Sequence, residues 1–364
     1  MTTGLFSVSY SQARKRFAAA ARAAGVDVES HVIQGIIGRE GEALATDVVR
    51  LGSPDARRLL ILTSGTHGVE GFCGSAAQIA LLGDSGLQAR LAAADVAILV
   101  VHAINPYGFS WLSRTNEDNV DLNRNSIDFT QALPVNDAYA DLHALLVPPI
   151  WPPSDVNAAA IADYIAMHGE PAYQRALTIG QYSFADGLFY GGRGPVWSTR
   201  LMRTLIDTHA KGCDAIGWID FHTGLGPPGH GEKISVGQLD AAELQRARRW
   251  WGADVASPVD GTTVASNVGG PLLDTLRFAR PDAQITAMAI EYGTVPLIDM
   301  LHMLGADAWL RRNPETPSEQ AAKIRDQVRA AFCFDDAGWQ GQILGQARVA
   351  ILQAVLGLGR GEGA

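Results

Sequence analysis

The chain has little cysteine, little charge and no long apolar run. Its three cysteines, Cys73, Cys213 and Cys333, are far apart and odd in number. They build neither a disulfide framework nor a C-x-x-C metal knuckle, so free and mostly buried thiols are expected. Only 18% of residues are charged, and 29 Lys and Arg face 38 Asp and Glu, for a formal net charge of -9. That balance argues against nucleic-acid or anionic-membrane partners, which need clustered Lys and Arg. No apolar h-region follows Arg14-Lys15-Arg16, and no stretch approaches the roughly 18 apolar residues of a membrane span. A soluble, cytoplasmic protein is the expectation. Low-complexity linkers and internal repeats are also missing, as are G-x-S-x-G and a P-loop, which leaves a serine hydrolase or a nucleotide-binding enzyme without support.

What is present is core-forming material, with 47% hydrophobic residues. This suits a single domain over 1–364, with an irregular insertion at about 130–195 and C-terminal helices at about 318–356. Strand-like and helical runs alternate, and four runs are read as buried strands. Leu59-Leu60-Ile61-Leu62, Asp95 to Ile104, Ala215 to Phe221 and Gln284 to Ile290 are continuous apolar stretches, as a central sheet covered on both faces requires. Two earlier strand-like runs, Val28 to Gly35 and Glu42 to Val49, suggest an antiparallel edge. The fold class expected is α/β, a three-layer α/β/α arrangement around a mixed, mostly parallel sheet.

Three of those strands end in residues with chemistry. After the first comes Thr66-His67-Gly68-Val69-Glu70-Gly71, an imidazole and a carboxylate with two residues between them on a Gly-rich turn. After the third comes Phe221-His222-Thr223-Gly224, and after the fourth Glu291-Tyr292-Gly293. If these ends lie side by side, His67, Glu70 and His222 supply the three ligands of a catalytic zinc site, which keeps its fourth position open. A carboxylate at the end of so apolar a strand is partly desolvated, so Glu291 is expected to have a raised pKa, suited to a general base. His102 sits inside a core strand and reads as a hydrogen-bonded interior histidine. A dense polar loop supplies Arg114, Asn116, Asn123 and Arg124, donors that can converge on carboxylate oxygens. Gly187 to Gly194 is Gly-rich without the spacing of a phosphate cradle, and reads as a packed loop.

The ordered set G-T-H-G-V-E-G-F, N-P-Y-G-F, V-D-L-N-R-N, D-F-H-T-G and I-E-Y-G-T, spanning roughly residues 55 to 300, resembles the zinc carboxypeptidase superfamily, including its succinylglutamate desuccinylase and aspartoacylase branch. It is closest to an uncharacterised bacterial branch of it. The resemblance implies a zinc-carboxypeptidase-like, phosphorylase/hydrolase-like fold and one Zn2+ per chain on His67, Glu70 and His222. It implies Glu291 as general base, Arg114 as the residue that polarises the scissile carbonyl, and Asn123 with Arg124 as the grip on the substrate's free carboxylate. Gly65, Gly68 and Gly71 would let the backbone approach the metal. One departure is visible. Digestive-type members carry a tyrosine on a loop before the base, where this chain has Asn267-Val268-Gly269-Gly270.

The expected function is therefore zinc-dependent hydrolysis of an amide bond adjacent to a free carboxylate, in a small peptide or an N-acyl amino acid. Alternatives are an N-acyl amino acid deacylase of the desuccinylase/aspartoacylase type and a non-catalytic carboxylate- or peptide-binding module. Arg277 and Arg280 are either contacts to a second substrate carboxylate or surface residues. A homo-oligomer is left open.

Overall fold

The computed structural model describes residues 4–237, 240–258, 260–263 and 268–360. A hairpin opens the sheet, β1 (Glu29–Ile37) pairing antiparallel with β2 (Ala43–Leu51). β3 (Arg58–Ser64), β4 (Ala97–His102), β5 (Ala215–Gly224), β6 (Gly231–Ile234) and β7 (Gln284–Gly293) complete it. The spatial order is β1-β2-β4-β3-β5-β7-β6. β3 runs parallel to both β4 and β5, and β5 parallel to β7, while β2 meets β4 and β6 meets β7 antiparallel. The sheet is mixed with a parallel centre, as expected from the sequence, and the expected antiparallel edge at β1 and β2 is matched by a second at β6.

Side-chain alternation along the central strands divides the core into two halves. Leu60, Leu62, Ile98, Val100, Ile219 and Phe221 join one apolar cluster, and Leu59, Ile61, Ala97, Leu99, Ile216 and Trp218 the other. The first half is covered by α1 (Tyr10–Ala23) and α2 (Gly71–Leu82), and by α3 (Ser85–Ala94) and α4 (Pro106–Trp111) around them. The segment read as an irregular insertion contains α5 (Asp137–Leu146), α6 (Asp155–His168) and α7 (Glu170–Thr178). The helix that the sequence suggests from about Asp155 to Met167 is α6, held to the core by a half-buried stripe of Ile161, Tyr164 and Ile165, while α5 and α7 are too short for periodicity to declare them. The second half of the core is covered by α8 (Trp197–His209) with α10 (Asp274–Ala279) packed against it, while α9 (Ala241–Trp251) lies beside β7 on the first half. α11 (Leu297–Arg312), α12 (Ser318–Phe332) and α13 (Ala337–Arg360) return to the first half. The result is helix layers on both faces of the sheet.

α13 departs from the expectation that no segment suits a membrane. By length and composition it could cross one, with mean hydropathy 1.2 over an 18-residue window. In the structure one face is buried, with Trp339, Ile343, Ala347, Ile351, Val355 and Leu358 packed in the core. A core helix meets the same criterion. All three cysteines are free and buried.

His102 is an interior histidine, fully buried at the end of β4. Its Nε2 lies 2.9 Å from the Ser75 hydroxyl and its ring stacks on Phe17 at 4.4 Å. Burial pushes its pKa down to about 4. A histidine held neutral when folded binds a proton more readily when unfolded, so its stabilisation is complete above its ordinary pKa and is lost as pH falls toward the folded value. Between about pH 6.5 and about pH 4, this group alone should cost the fold roughly 3 kcal/mol. Denaturant titrations across that range should show a shallower acid-side loss in His102→Gln than in the parent. Identical slopes would contradict the assignment.

Candidate metal and active site

The strand ends meet as the parallel order dictates. β3 and β5 are neighbours with Ser64 opposite Phe221, and β5 and β7 are neighbours with His222 opposite Glu291. The ends of β3, β5 and β7 therefore deliver the H-x-x-E turn, the second histidine and the late glutamate to one edge, the carboxyl edge where open α/β sheets keep their ligands.

His67, Glu70 and His222 are all buried, and one ligand atom from each lies within 4.8 Å of the others. Glu70 is the hub. Its Oε1 is 2.9 Å from His67 Nδ1, and its Oε2 is 2.9 Å from His222 Nδ1. The far nitrogens are held as well, His67 Nε2 at 3.2 Å from Asp121 and His222 Nε2 at 2.8 Å from Asp220. Carboxylates behind the imidazoles fix ring orientation and tautomer, the support that metal-ligating histidines ordinarily have. Two imidazoles and a carboxylate with the Nδ1 atoms turned inward form a donor set that fits zinc.

The electrostatics follow from the same contacts. Burial drives the Glu70 carboxyl upward, but the His67 charge and hydrogen bonds from both histidines overcome it and hold it far below the ordinary range. Burial lowers His222, yet Asp220 and Glu70 reverse this and raise it well above its ordinary value. Glu291 behaves oppositely to Glu70. Desolvation, helped by the Glu70 charge, raises its pKa to about 7. Its Oε1 accepts a hydrogen bond from the Leu225 backbone N–H at 3.1 Å.

Arg114, Asn123 and Arg124 line the same pocket as the triad and Glu291. The Arg114 backbone carbonyl accepts from Gly68 N–H, tying the polar loop to the H-x-x-E turn. Its guanidinium reaches Glu70 at 3.3 Å and Asp121 at 3.1 Å. Asn123 and Arg124 sit on a short 3-10 turn, Leu122–Arg124, capped by the Asp121 side chain. Asn123 Oδ1 accepts from Leu272 N–H, and Asn123 Nδ2 is 3.5 Å from His222 Nε2. Arg124 is buried and donates to the carbonyls of Asn123 and Thr178, while its Nε has no hydrogen-bond partner among the described residues. Desolvation lowers its pKa.

Three functional-looking residues went unread in the sequence. Asp121 and Asp220 hold the histidines, though both stand inside motifs already singled out. Asp220 precedes His222 by two, the spacing that puts two strand side chains on one face. The third, Phe189, lies between the two guanidinium groups, 5.0 Å from Arg114 and 5.5 Å from Arg124. It occupies the Gly-rich stretch, which is a packed loop as expected. Its φ of 53° is a left-handed value that an aromatic residue rarely takes.

Other expectations need correction. Gly68 does not make room for a metal. A Cβ there would lie 2.0 Å from the Gly108 carbonyl carbon, so it is α4 that the glycine admits. Gly65, at φ +66°, makes the left-handed turn out of β3. Arg277 is neither a surface residue nor a substrate contact. Its side chain is 10% exposed and ion-paired to Glu243 at 2.6 Å and Asp274 at 2.7 Å. Arg280 is bound to Asp282 and to the carbonyls of Ala210 and Cys213, at the opposite end of β5. Asn267 lies outside the described residues, while Val268 lines the pocket.

A family model described as "Protein of unknown function (DUF2817)" matches residues 6–346. No curated protein matches the chain. Among solved structures, the chain is similar to bovine thrombin-activatable fibrinolysis inhibitor in complex with tick carboxypeptidase inhibitor, at 12% identity and TM-score 0.43, covering 90% of this chain and 96% of that one. It is similar to a metallo-carboxypeptidase from Pseudomonas aeruginosa in complex with (2-guanidinoethylmercapto)succinic acid, at 14% identity and TM-score 0.40, covering 94% and 69%. A succinylglutamate desuccinylase / aspartoacylase family protein from Shewanella amazonensis is similar at 17% identity and TM-score 0.34, covering 79% and 73%.

Proposed function

We propose that this chain, which belongs to the DUF2817 family, is a zinc-dependent hydrolase that cleaves an amide bond next to a free carboxylate. The observation that carries the reading is the convergence, in one pocket, of a His-Glu-His donor set with a separate glutamate whose pKa is raised to about 7. A binding module has no use for that second, costly carboxylate.

His67, Glu70 and His222 would hold the zinc, with Asp121 and Asp220 keeping the two imidazoles in place. When bound, zinc supplies Lewis acidity toward the scissile carbonyl and makes water more acidic. Glu291 takes the proton from the attacking water at a carboxylate oxygen and returns it to the departing nitrogen, a role its raised pKa suits near neutral pH. Arg114, with its guanidinium at the pocket wall, donates to the carbonyl oxygen as negative charge develops there. Arg124 offers the substrate's carboxylate a guanidinium whose Nε lacks a partner among the described residues. Asn123 beside it fixes the carboxylate's distance from the reacting carbonyl, which converts binding into orientation.

The test is a panel of short peptides and N-acyl amino acids, each with a free or an amidated carboxylate, assayed with and without a chelator. Cleavage of the free acids, lost on chelation and restored by zinc, is expected. Equal cleavage of free and amidated compounds would remove the carboxylate grip from the account.

A further inference from the structure

If this pocket is the hydrolytic site proposed above, its remaining wall determines which side chain the substrate carries. Leu297, Met300, Leu301 and Leu304 of α11 line it at i, i+3, i+4 and i+7, one apolar helix face. The other wall stands beside the carboxylate grip. Asn123 is tied to Leu272, adjacent to Pro271, and on the sheet Ile234 pairs with Ala289, two residues before Glu291 on the same strand face. The neutral polar lining residues Gln174 and Thr178 belong to the Arg124 side, where the Thr178 carbonyl accepts from the guanidinium, and the wall beyond the grip consists of Ile234, Val236, Val268, Pro271 and Ala289. All five are apolar.

A second carboxylate on the substrate would need a second cation. Apart from the two histidines of the donor set, the basic side chains lining the pocket among the described residues are Arg114 and Arg124, both already assigned to the reacting carbonyl and the first carboxylate. Arg277 is enclosed by Glu243 and Asp274, and Arg280 lies at the far end of the strand. A cationic substrate side chain would likewise need a carboxylate on that wall, and none of its five residues supplies one.

We infer that the pocket selects substrates whose carboxylate-bearing residue has a bulky aliphatic or aromatic side chain, and rejects dicarboxylates and cationic residues. An apolar group gains by leaving water against this wall, while an ionised one loses its hydration without a partner.

The experiment compares hexanoyl-leucine, hexanoyl-glutamate, hexanoyl-lysine and succinyl-glutamate on the zinc-loaded full chain. The leucine compound is expected to exceed the charged ones by about 100-fold or more in kcat/KM. Comparable or better cleavage of either glutamate compound or of the lysine compound overturns the inference and leaves amide hydrolysis standing. If none is cleaved, the hydrolytic reading fails, and calorimetric binding of 4-methylpentanoate against glutarate decides the selectivity alone. Tighter 4-methylpentanoate supports it, and tighter glutarate overturns it. Val236, half-buried just after β6, offers a variant check. Val236→Arg should move the leucine-to-glutamate ratio toward glutamate by about tenfold or more, and an unchanged ratio in the folded variant counts against this wall as the selector.

Discussion

Glu291→Gln should keep its zinc and lose turnover by about 100- to 10,000-fold, the usual contribution of a positioned general base. The position of Glu291 matters here before its pKa does. Glu291 follows the buried run of β7 and stands opposite His222 in register, yet it accepts its hydrogen bond from Leu225 rather than from either histidine. Its carboxylate is thus in the site without belonging to the donor set. Glutamine has nearly the same shape and can still accept from Leu225, so the fold and the metal should survive the change. What disappears is the capacity to take and return a proton. Metal content and kcat measured on the same preparation separate the two, and a variant that keeps parental kcat would rule Glu291 out as the base.

Asp121→Asn should damage both stability and metal affinity. Asp121 is fully buried and is the common counter-charge of the site. It faces His67 at 3.2 Å, Arg114 at 3.1 Å and Arg124 at 3.9 Å, and accepts from Asn123 N–H at 2.9 Å. Burial opposes its ionisation, but Arg114, Arg124 and His67 hold its pKa well below the ordinary range. Asparagine preserves the volume and deletes the charge, leaving two guanidinium groups in a desolvated pocket. Breaking a buried pair from one side costs about 3–5 kcal/mol, and losing the carboxylate behind a metal-ligating histidine weakens affinity about 10- to 100-fold. Chemical denaturation of the zinc-free protein isolates the first effect, and competition with a chromogenic chelator measures the second. If neither quantity moves, Asp121 is a bystander.

How much of this was legible in the sequence depends on whether a feature is local. Continuous apolar runs such as Leu59–Leu62 and Ala215–Phe221 announce central strands, and the His or Glu at each run's end announces where chemistry can gather. The parallel order of β3, β5 and β7 then does the gathering, because neighbouring parallel strands end on the same edge. Non-local features stayed hidden. No spacing reveals that Glu243 on α9 encloses Arg277, or that Phe189, some 65 positions beyond Arg124 in the chain, lies against its guanidinium. Gly68 looked like a concession to a metal because the sequence does not show α4 crossing behind it. α6 was legible from about Asp155 to Met167 through its Ile161, Tyr164 and Ile165 spacing, whereas the short α5 and α7 gave periodicity little to detect.

The central claim is that His67, Glu70 and His222 form one zinc site, and titrating zinc into chelator-treated protein tests it most directly. The account predicts saturation at one zinc per chain, with proton release as the histidines and Glu70 exchange their mutual hydrogen bonds for the metal. His222→Ala should abolish that binding while leaving the far-ultraviolet dichroism of the fold intact. Failure of the parent protein to bind zinc at near-equimolar concentration, or undiminished binding by a folded His222→Ala, would contradict it.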